Sequence, residues 1–399
     1  MNDSVSASPK LPAPILRLAF RPMFFLGTLF STLLMAWWVF FWLFPFNWQP
    51  YGGPIWWHSH EMLFGFGSAI VGGFLLTAVQ NWTGVPGIKG PLLAVLAGSW
   101  LLGRGLIAFG ASLPAVLVLI GDVLYLVMVA AAMAYPVIKA KMWRNLMFVP
   151  MLLMLALLNV ASHVGIVRGD LGLSMSAIHG AVFVITLMIV IIGGRVVPFF
   201  TANGLGVPRV EAIRWVDAVS IISLLILLVS AFVGFSTLNA VFLAFVSLVA
   251  ALANGYRFWR WQFWLCGKVP LLWSLHFAYA FVPFGFLTLF LYFINVVPTL
   301  SIALHALTVG AIGGMILSMI SRVSLGHMGR PLKPVKIMSL AFGLILVSAI
   351  ARVVIPWLFP SFTNVGIALA GVFWVLAYGI FCVVYGADFW KPRPDGRPG

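Results

Sequence analysis

Residues 305–331 read "HALTVGAIGGMILSMISRVSLGHMGRP", and residues 60–86 read "HEMLFGFGSAIVGGFLLTAVQNWTGVP". Each segment opens on a histidine, runs through a glycine-bearing apolar stretch and closes on a glycine and a proline. With the histidines aligned, Gly65 falls on Gly310, Gly84 on Gly329 and Pro86 on Pro331. A third segment, residues 179–208, "HGAVFVITLMIVIIGGRVVPFFTANGLGVP", has the same layout. Its Arg195 lies sixteen residues after His179, much as Arg322 lies seventeen after His305. A bilayer-crossing helix needs about 20 mainly apolar residues, so each segment reads as one transmembrane helix ending in a turn.

The same rule applied outward gives twelve spans, near residues 23–45, 58–80, 91–110, 114–136, 145–168, 174–197, 213–235, 237–256, 270–293, 299–322, 335–357 and 364–386. The 399-residue chain is 63% hydrophobic and 8% charged, with 34 Phe and 17 Trp and a mean hydropathy of +1.11. That composition excludes a soluble domain. The expected fold is an all-α polytopic membrane protein with twelve transmembrane helices. The three related histidines are about 120 and 126 residues apart, which is four spans per unit. The chain therefore reads as one membrane domain of three four-helix units, about 15–136, 145–260 and 268–388. Internal repeats tend to place function where the units meet.

The net charge of +15 does not point to nucleic acid, because of where the charge lies. With the N-terminus inside, the inner loops hold Lys89, Lys139, Lys141, Arg144, Arg209, Arg214, Arg257, Arg260, Lys268, Arg330, Lys333 and Lys336. The outer loops hold almost nothing basic. This is the positive-inside asymmetry, so the charge sets topology and meets anionic lipid. Both termini are expected on the cytoplasmic side. The opening "MNDSVSASPKLPAPILRLAFRP" lacks a cleavage site after a short apolar core and reads as a cytoplasmic tail, not a signal peptide. Cys266 and Cys382 are far apart, without the spacing of a thiolate metal site or a disulfide framework.

Five of the seven histidines, His58, His60, His163, His179 and His305, fall in one outer layer on this topology. Any one of them alone reads equally well as a hydrogen-bonded core residue. Ionisable groups inside a membrane are costly and mark function by default, and several imidazoles at one depth suit iron, copper or zinc. On a regular helix His58 and His60 are about 200° apart. His58 and Glu61 share a face at i, i+3, while His60 continues with Phe64, Gly67 and Val71. His60 thus reads as a candidate haem ligand, and His58 with Glu61 as a second site or a proton path into it.

Arg104 and Arg352 lie near outer ends of spans, 44 residues after His60 and 47 after His305. Both break the inside rule and call for negative partners. Haem propionates would serve. For Arg104 the alternative is Asp122, across the short hairpin; Arg352 has no acidic residue in its own hairpin. The expected haem site is His60 and His305 as axial ligands with Arg104 and Arg352 at the propionates. A second metal would use His163, His179 and either His58 or Glu61. On span 9, His276 and Tyr279 at i, i+3 read as a buried His–Tyr pair.

The stretches "RPMFFLGTLF" (21–30), "WHSHEMLFGF" (57–66), "GFLLTAVQNWTG" (73–84), "GGRVVPFFT" (193–201) and "HALTVGAIGG" with "SRVSLGHMGRP" (305–331) together resemble the NnrS family of bacterial membrane proteins. The span 9 motif departs from the family pattern, reading "HFAYAFVP" at 276–283. The resemblance implies twelve spans in the bacterial cytoplasmic membrane, bound haem (of b type) and copper, and a role in nitric oxide metabolism or resistance to nitrosative stress. Histidines on spans 2, 6 and 10 also resemble the layout of the catalytic subunit of haem–copper oxidases. That superfamily's adjacent His-His on span 7 and its His-x-His on span 10 are absent here.

Three functions remain open on the sequence. One is a haem–copper protein that binds or reduces nitric oxide at the outer side, with electrons from quinol or another donor and protons through Glu61 and His58. Another is a non-catalytic nitric oxide sensor or buffer. The third is a secondary transporter, against which stands a midplane nearly free of charge.

Overall fold

A computed structural model describes residues 11–397; the first ten residues of the N-terminal tail lie outside the described residues. The described chain is helical, with no strand. Twelve helices are long and apolar enough to span a membrane: α1 Phe20–Leu43, α2 Pro54–Thr83, α3 Pro91–Ser112, α4 Ala115–Lys139, α5 Trp143–Arg168, α6 Leu171–Leu205, α7 Arg214–Val233, α8 Ala240–Arg260, α9 Pro270–Phe293, α10 Leu300–His327, α11 Lys336–Leu358 and α12 Pro360–Trp390. The helices start where local chemistry allows. Pro54, Pro91 and Pro270 stand at first-turn positions, where a missing N–H costs nothing. Asp170 and Asn239 cap α6 and α8 by accepting from Leu173 N (2.9 Å) and Phe242 N (3.1 Å). Gly84 and Gly206 end α2 and α6 in the left-handed conformation.

Consecutive helices pack as neighbours, and α12 returns to α1. Over their most apolar stretches α2, α6 and α10 are 72–78% buried, against 33–56% for the other nine. They form the centre, and the nine others turn Leu, Val, Phe and Trp side chains outward. The three central helices are those whose sequences align at His60, His179 and His305. Lipid gives little hydrophobic drive for helix association, so close packing and polar contacts hold such bundles. Gly103 is one such approach: a Cβ there would meet the Asp122 backbone at 3.0 Å. Its absence lets α4 close on α3.

Two of the central helices are not regular. In α2 an α-helical turn, Pro54–His60, gives way to a π-helix over Glu61–Gly67, then to α-helix again from Ser68. In α10 the same change follows Leu300–His305, with a π-helix over Ala306–Gly313. Each π-segment begins immediately after one of the aligned histidines. The i→i+5 bonding of a π-helix is rare and concentrates at functional sites.

Candidate metal centre

Four helices meet around His60. Its ring stacks on Trp56, one turn earlier, at 4.3 Å. Its Nδ1 lies 2.9 Å from Glu61 Oε1. Its Nε2 lies 2.8 Å from Asn159 Oδ1 on α5 and 3.1 Å from Asp122 Oδ2 on α4. His163, one turn after Asn159, places Nε2 3.2 Å from the same Asp122 oxygen and Nδ1 3.1 Å from the Tyr51 hydroxyl. Asn159 Nδ2 donates to Asp122 Oδ2 at 2.6 Å, which turns its own oxygen toward His60. Arg104, from α3, donates one Nη to Glu61 and the other to Asp122. Gly65 is what admits it: a Cβ there would stand 2.9 Å from Arg104 Nη1. His60, Asp122 and His163 are fully or almost fully buried, and one ligand atom from each lies within 4.8 Å of the others.

The charges of this cluster do not close by themselves. Glu61 and Asp122 carry two negative charges and Arg104 one positive. Both nitrogens of His60 face oxygens positioned to accept, yet a neutral imidazole has one N–H. A buried net charge is costly unless paired, so the cluster calls for one more positive charge, a proton or a metal ion. Two imidazoles and a carboxylate are a donor set for divalent first-row metals. Glu61 on His60 Nδ1 and Tyr51 on His163 Nδ1 stand where outer groups fix the orientation of ligating rings. The residues therefore fit a small metal ion. Tyr51 lies in the loop before α2; burial, then the Asp122 charge, push its phenol above its ordinary range.

His58 belongs elsewhere. Its ring stacks flat on Trp38 of α1, with centroids 4.4 Å apart, and its buried Nδ1 has no hydrogen-bond partner among the described residues. It lies within electrostatic reach of Arg352 and His305. His305 Nδ1 donates to the Ser301 carbonyl at 2.7 Å. That bond fixes the tautomer and leaves Nε2 with a lone pair to offer. Arg352 donates to Ser301 Oγ at 3.0 Å, and no carboxylate pairs with it among the described residues. This second cluster thus holds two imidazoles and an excess positive charge. Imidazoles beside a guanidinium that no carboxylate pairs could hold an anionic group.

Several expectations change. His60 is grouped with His163, and His305 with His58, instead of His60 facing His305. Glu61 sides with His60 and Arg104, not with His58. His58 and His60 lie on opposite faces of the α-helical turn before the π-helix, and Glu61, the next residue, closes on the His60 ring. Arg104 has its counter-charges in Glu61 and Asp122. His179 makes no hydrogen bond or ion pair with either cluster. His276 and Tyr279 do not pair: His276 Nε2 bonds Thr201 at 2.8 Å, while Tyr279 bonds Arg257 and Asn254, each at 2.9 Å. Asn159 went unread in the sequence, although its i, i+4 spacing from His163 marks a polar face on an apolar helix. Asp122 was read only as a counter-charge.

Fold and site together define a polytopic helical membrane protein with a buried histidine–carboxylate centre of metal-binding type. The chain belongs to the NnrS protein family, whose sequence model matches residues 14–393. That membership fits a nitric-oxide-related membrane protein, in a family associated with metal binding. No curated protein matches the chain.

Proposed function

We propose that this protein is a haem- and copper-bearing membrane protein that binds and turns over nitric oxide at the outer side of the bacterial cytoplasmic membrane, protecting the cell from nitrosative stress. The observation that carries the reading is the buried convergence of His60, Asp122 and His163, with one ligand atom from each within 4.8 Å of the others. This centre would hold the copper, in place of the proton that otherwise balances its second carboxylate. The cluster of His58, His305 and Arg352 lacks one negative charge and would hold the haem, with Arg352 at a propionate. A bound metal supplies a coordination site for nitric oxide and a means of changing its electron count.

The chain's own residues do the rest. Glu61 anchors the His60 ring through Nδ1, and Arg104 holds Glu61 in place. Asp122 holds both ligating rings and Asn159 in one register. Trp56 and Trp38 cover the two imidazoles His60 and His58 and limit water at each. Tyr51 sits in a loop and connects His163 toward the aqueous side, a route by which a proton could reach the centre. With both termini cytoplasmic, basic inner loops would contact anionic lipid, and quinol in the membrane would be the electron donor.

The test is an optical spectrum with elemental analysis of protein purified from membranes, followed by addition of nitric oxide with and without a reduced donor. A Soret band that shifts with nitric oxide, iron and copper in stoichiometric amounts, and donor-dependent nitric oxide loss on an electrode support the proposal. Absence of both metals overturns it. Metals and a shifting band without nitric oxide loss would replace turnover by sensing or buffering.

A further inference from the structure

The two π-segments are tied to the bundle at matching places. Ser68 and Gly313 each stand eight residues after their aligned histidine, His60 and His305. The Ser68 carbonyl faces the hydroxyl of Tyr125 on α4 at 3.4 Å, and the Gly313 carbonyl accepts from the hydroxyl of Tyr378 on α12 at 2.8 Å. The first segment has a further tie, Trp100 Nε1 to the Gly65 carbonyl at 2.9 Å. All three donors are buried. A buried carbonyl held by a side-chain donor fixes the local backbone register, and loss of that donor costs the desolvation of the carbonyl.

The two segments are also joined to each other. Phe66, inside the first π-segment, meets Tyr378 edge-on at 5.2 Å and Trp374 at 5.8 Å. Trp374 stacks on Tyr378 at 4.8 Å, and its Nε1 donates to Ser31 Oγ on α1 at 2.9 Å. So one rigid aromatic group touches the first segment through Phe66 and holds the second through the Gly313 carbonyl. Coupling between sites needs an element with two discrete arrangements. A change of bonding register between a π-segment and the α-helix on either side would supply one.

We propose that Tyr378, with Phe66 and Trp374, is a positioning element that couples the two histidine sites, so that loading the His60–Asp122–His163 centre sets the register of the segment following His305. The inference rests on the metal reading of that centre.

Hydrogen–deuterium exchange of the full chain in nanodiscs, with and without added copper ions, tests it. In the unaltered protein copper should slow amide exchange in both 61–67 and 306–313. The expected slowing is about fivefold or more, the equilibrium factor of one buried hydrogen bond. Tyr378→Phe keeps the ring and removes only the hydroxyl; it should retain protection at 61–67 and lose it at 306–313. Phe66→Leu cuts the link from the other side and should give the same split. Tyr385→Phe, one hydroxyl removed further along α12, should change neither. Copper protection confined to 61–67 in the unaltered protein overturns the coupling, as does full protection of both segments in Tyr378→Phe and Phe66→Leu. Protection at neither segment removes the metal centre, and the coupling falls with it.

Discussion

His58 and His60 are two residues apart on one helix and belong to different sites. His58 lies against Trp38 within reach of His305 and Arg352, while His60 bonds Glu61, Asn159 and Asp122. A single turn of helix thus supplies one imidazole to each of two clusters. Two cofactors of different charge can then stand side by side without sharing a ligand.

This grouping predicts how metals partition among variants. His60→Ala and His163→Ala should lose copper together and keep most of the haem. His58→Ala and His305→Ala should lose haem together and keep most of the copper. Elemental analysis and the Soret absorbance of each purified variant read the outcome. Haem loss in His60→Ala with haem retained in His58→Ala would restore the pairing of His60 with His305.

Asp122 is the hub of the first cluster, contacted by Arg104, Asn159, His60 and His163. Asp122→Asn keeps the shape and removes the charge. Breaking a buried ion pair by removing one partner costs about 3–5 kcal/mol; Glu61 still holds Arg104, so the lower end applies. The variant should melt earlier in detergent and retain less than about a tenth of the copper. Asp122→Asn with native copper content and native melting would show that the carboxylate charge is dispensable.

The twelve spans were legible because bilayer thickness imposes a length on every helix, and the observed ends differ from the expected ones by only a few residues for most spans. The exception is α6, which runs on to Leu205 through Pro198, where the hydropathy rule stopped at 197. The histidines themselves were also legible, since ionisable groups stand out in an apolar chain. Their grouping was not. It depends on which neighbours the side chains meet across the bundle: Asn159 and Asp122 for His60, Trp38 for His58. Nothing in "HEMLFGFG" announces a π-helix; Arg104 crossing at Gly65 and the Trp100 indole on the Gly65 carbonyl are tertiary contacts made along it. Asn159 was hidden for a simpler reason. One amide in an apolar span is common, and only its distance to His60 gives it meaning.

Arg352 should discriminate charge from geometry at the second cluster. It bonds Ser301 Oγ and pairs with no carboxylate among the described residues, so its replacement breaks no ion pair described there. Arg352→Gln should fold with little loss of stability yet bind haem at least about tenfold more weakly, the loss of a charge-assisted bond worth about 1.5–3 kcal/mol. Arg352→Lys, which keeps the charge and loses the fork, should fall between. Haem titration of apoprotein in nanodiscs measures both. Equal affinity in Arg352→Gln and the unaltered protein would remove the propionate role.

Copper affinity should fall at acid pH, with no contribution from Tyr51 on the alkaline side. Ligating imidazoles must be deprotonated, so metal competes with protons. On the alkaline side the group to watch is Tyr51, whose phenol bonds His163 Nδ1. Burial and the Asp122 charge raise its pKa above the ordinary 10.0, so its proton is still in place at that pH and is lost only further up. The profile between about pH 8 and 10 should therefore have the same shape in the unaltered protein and in Tyr51→Phe, at a lower level in the variant because the His163 ring loses the hydroxyl that orients it. A decline in the unaltered protein below pH 10 that Tyr51→Phe abolishes would mean that the phenol ionises within the working range, contrary to its burial beside Asp122.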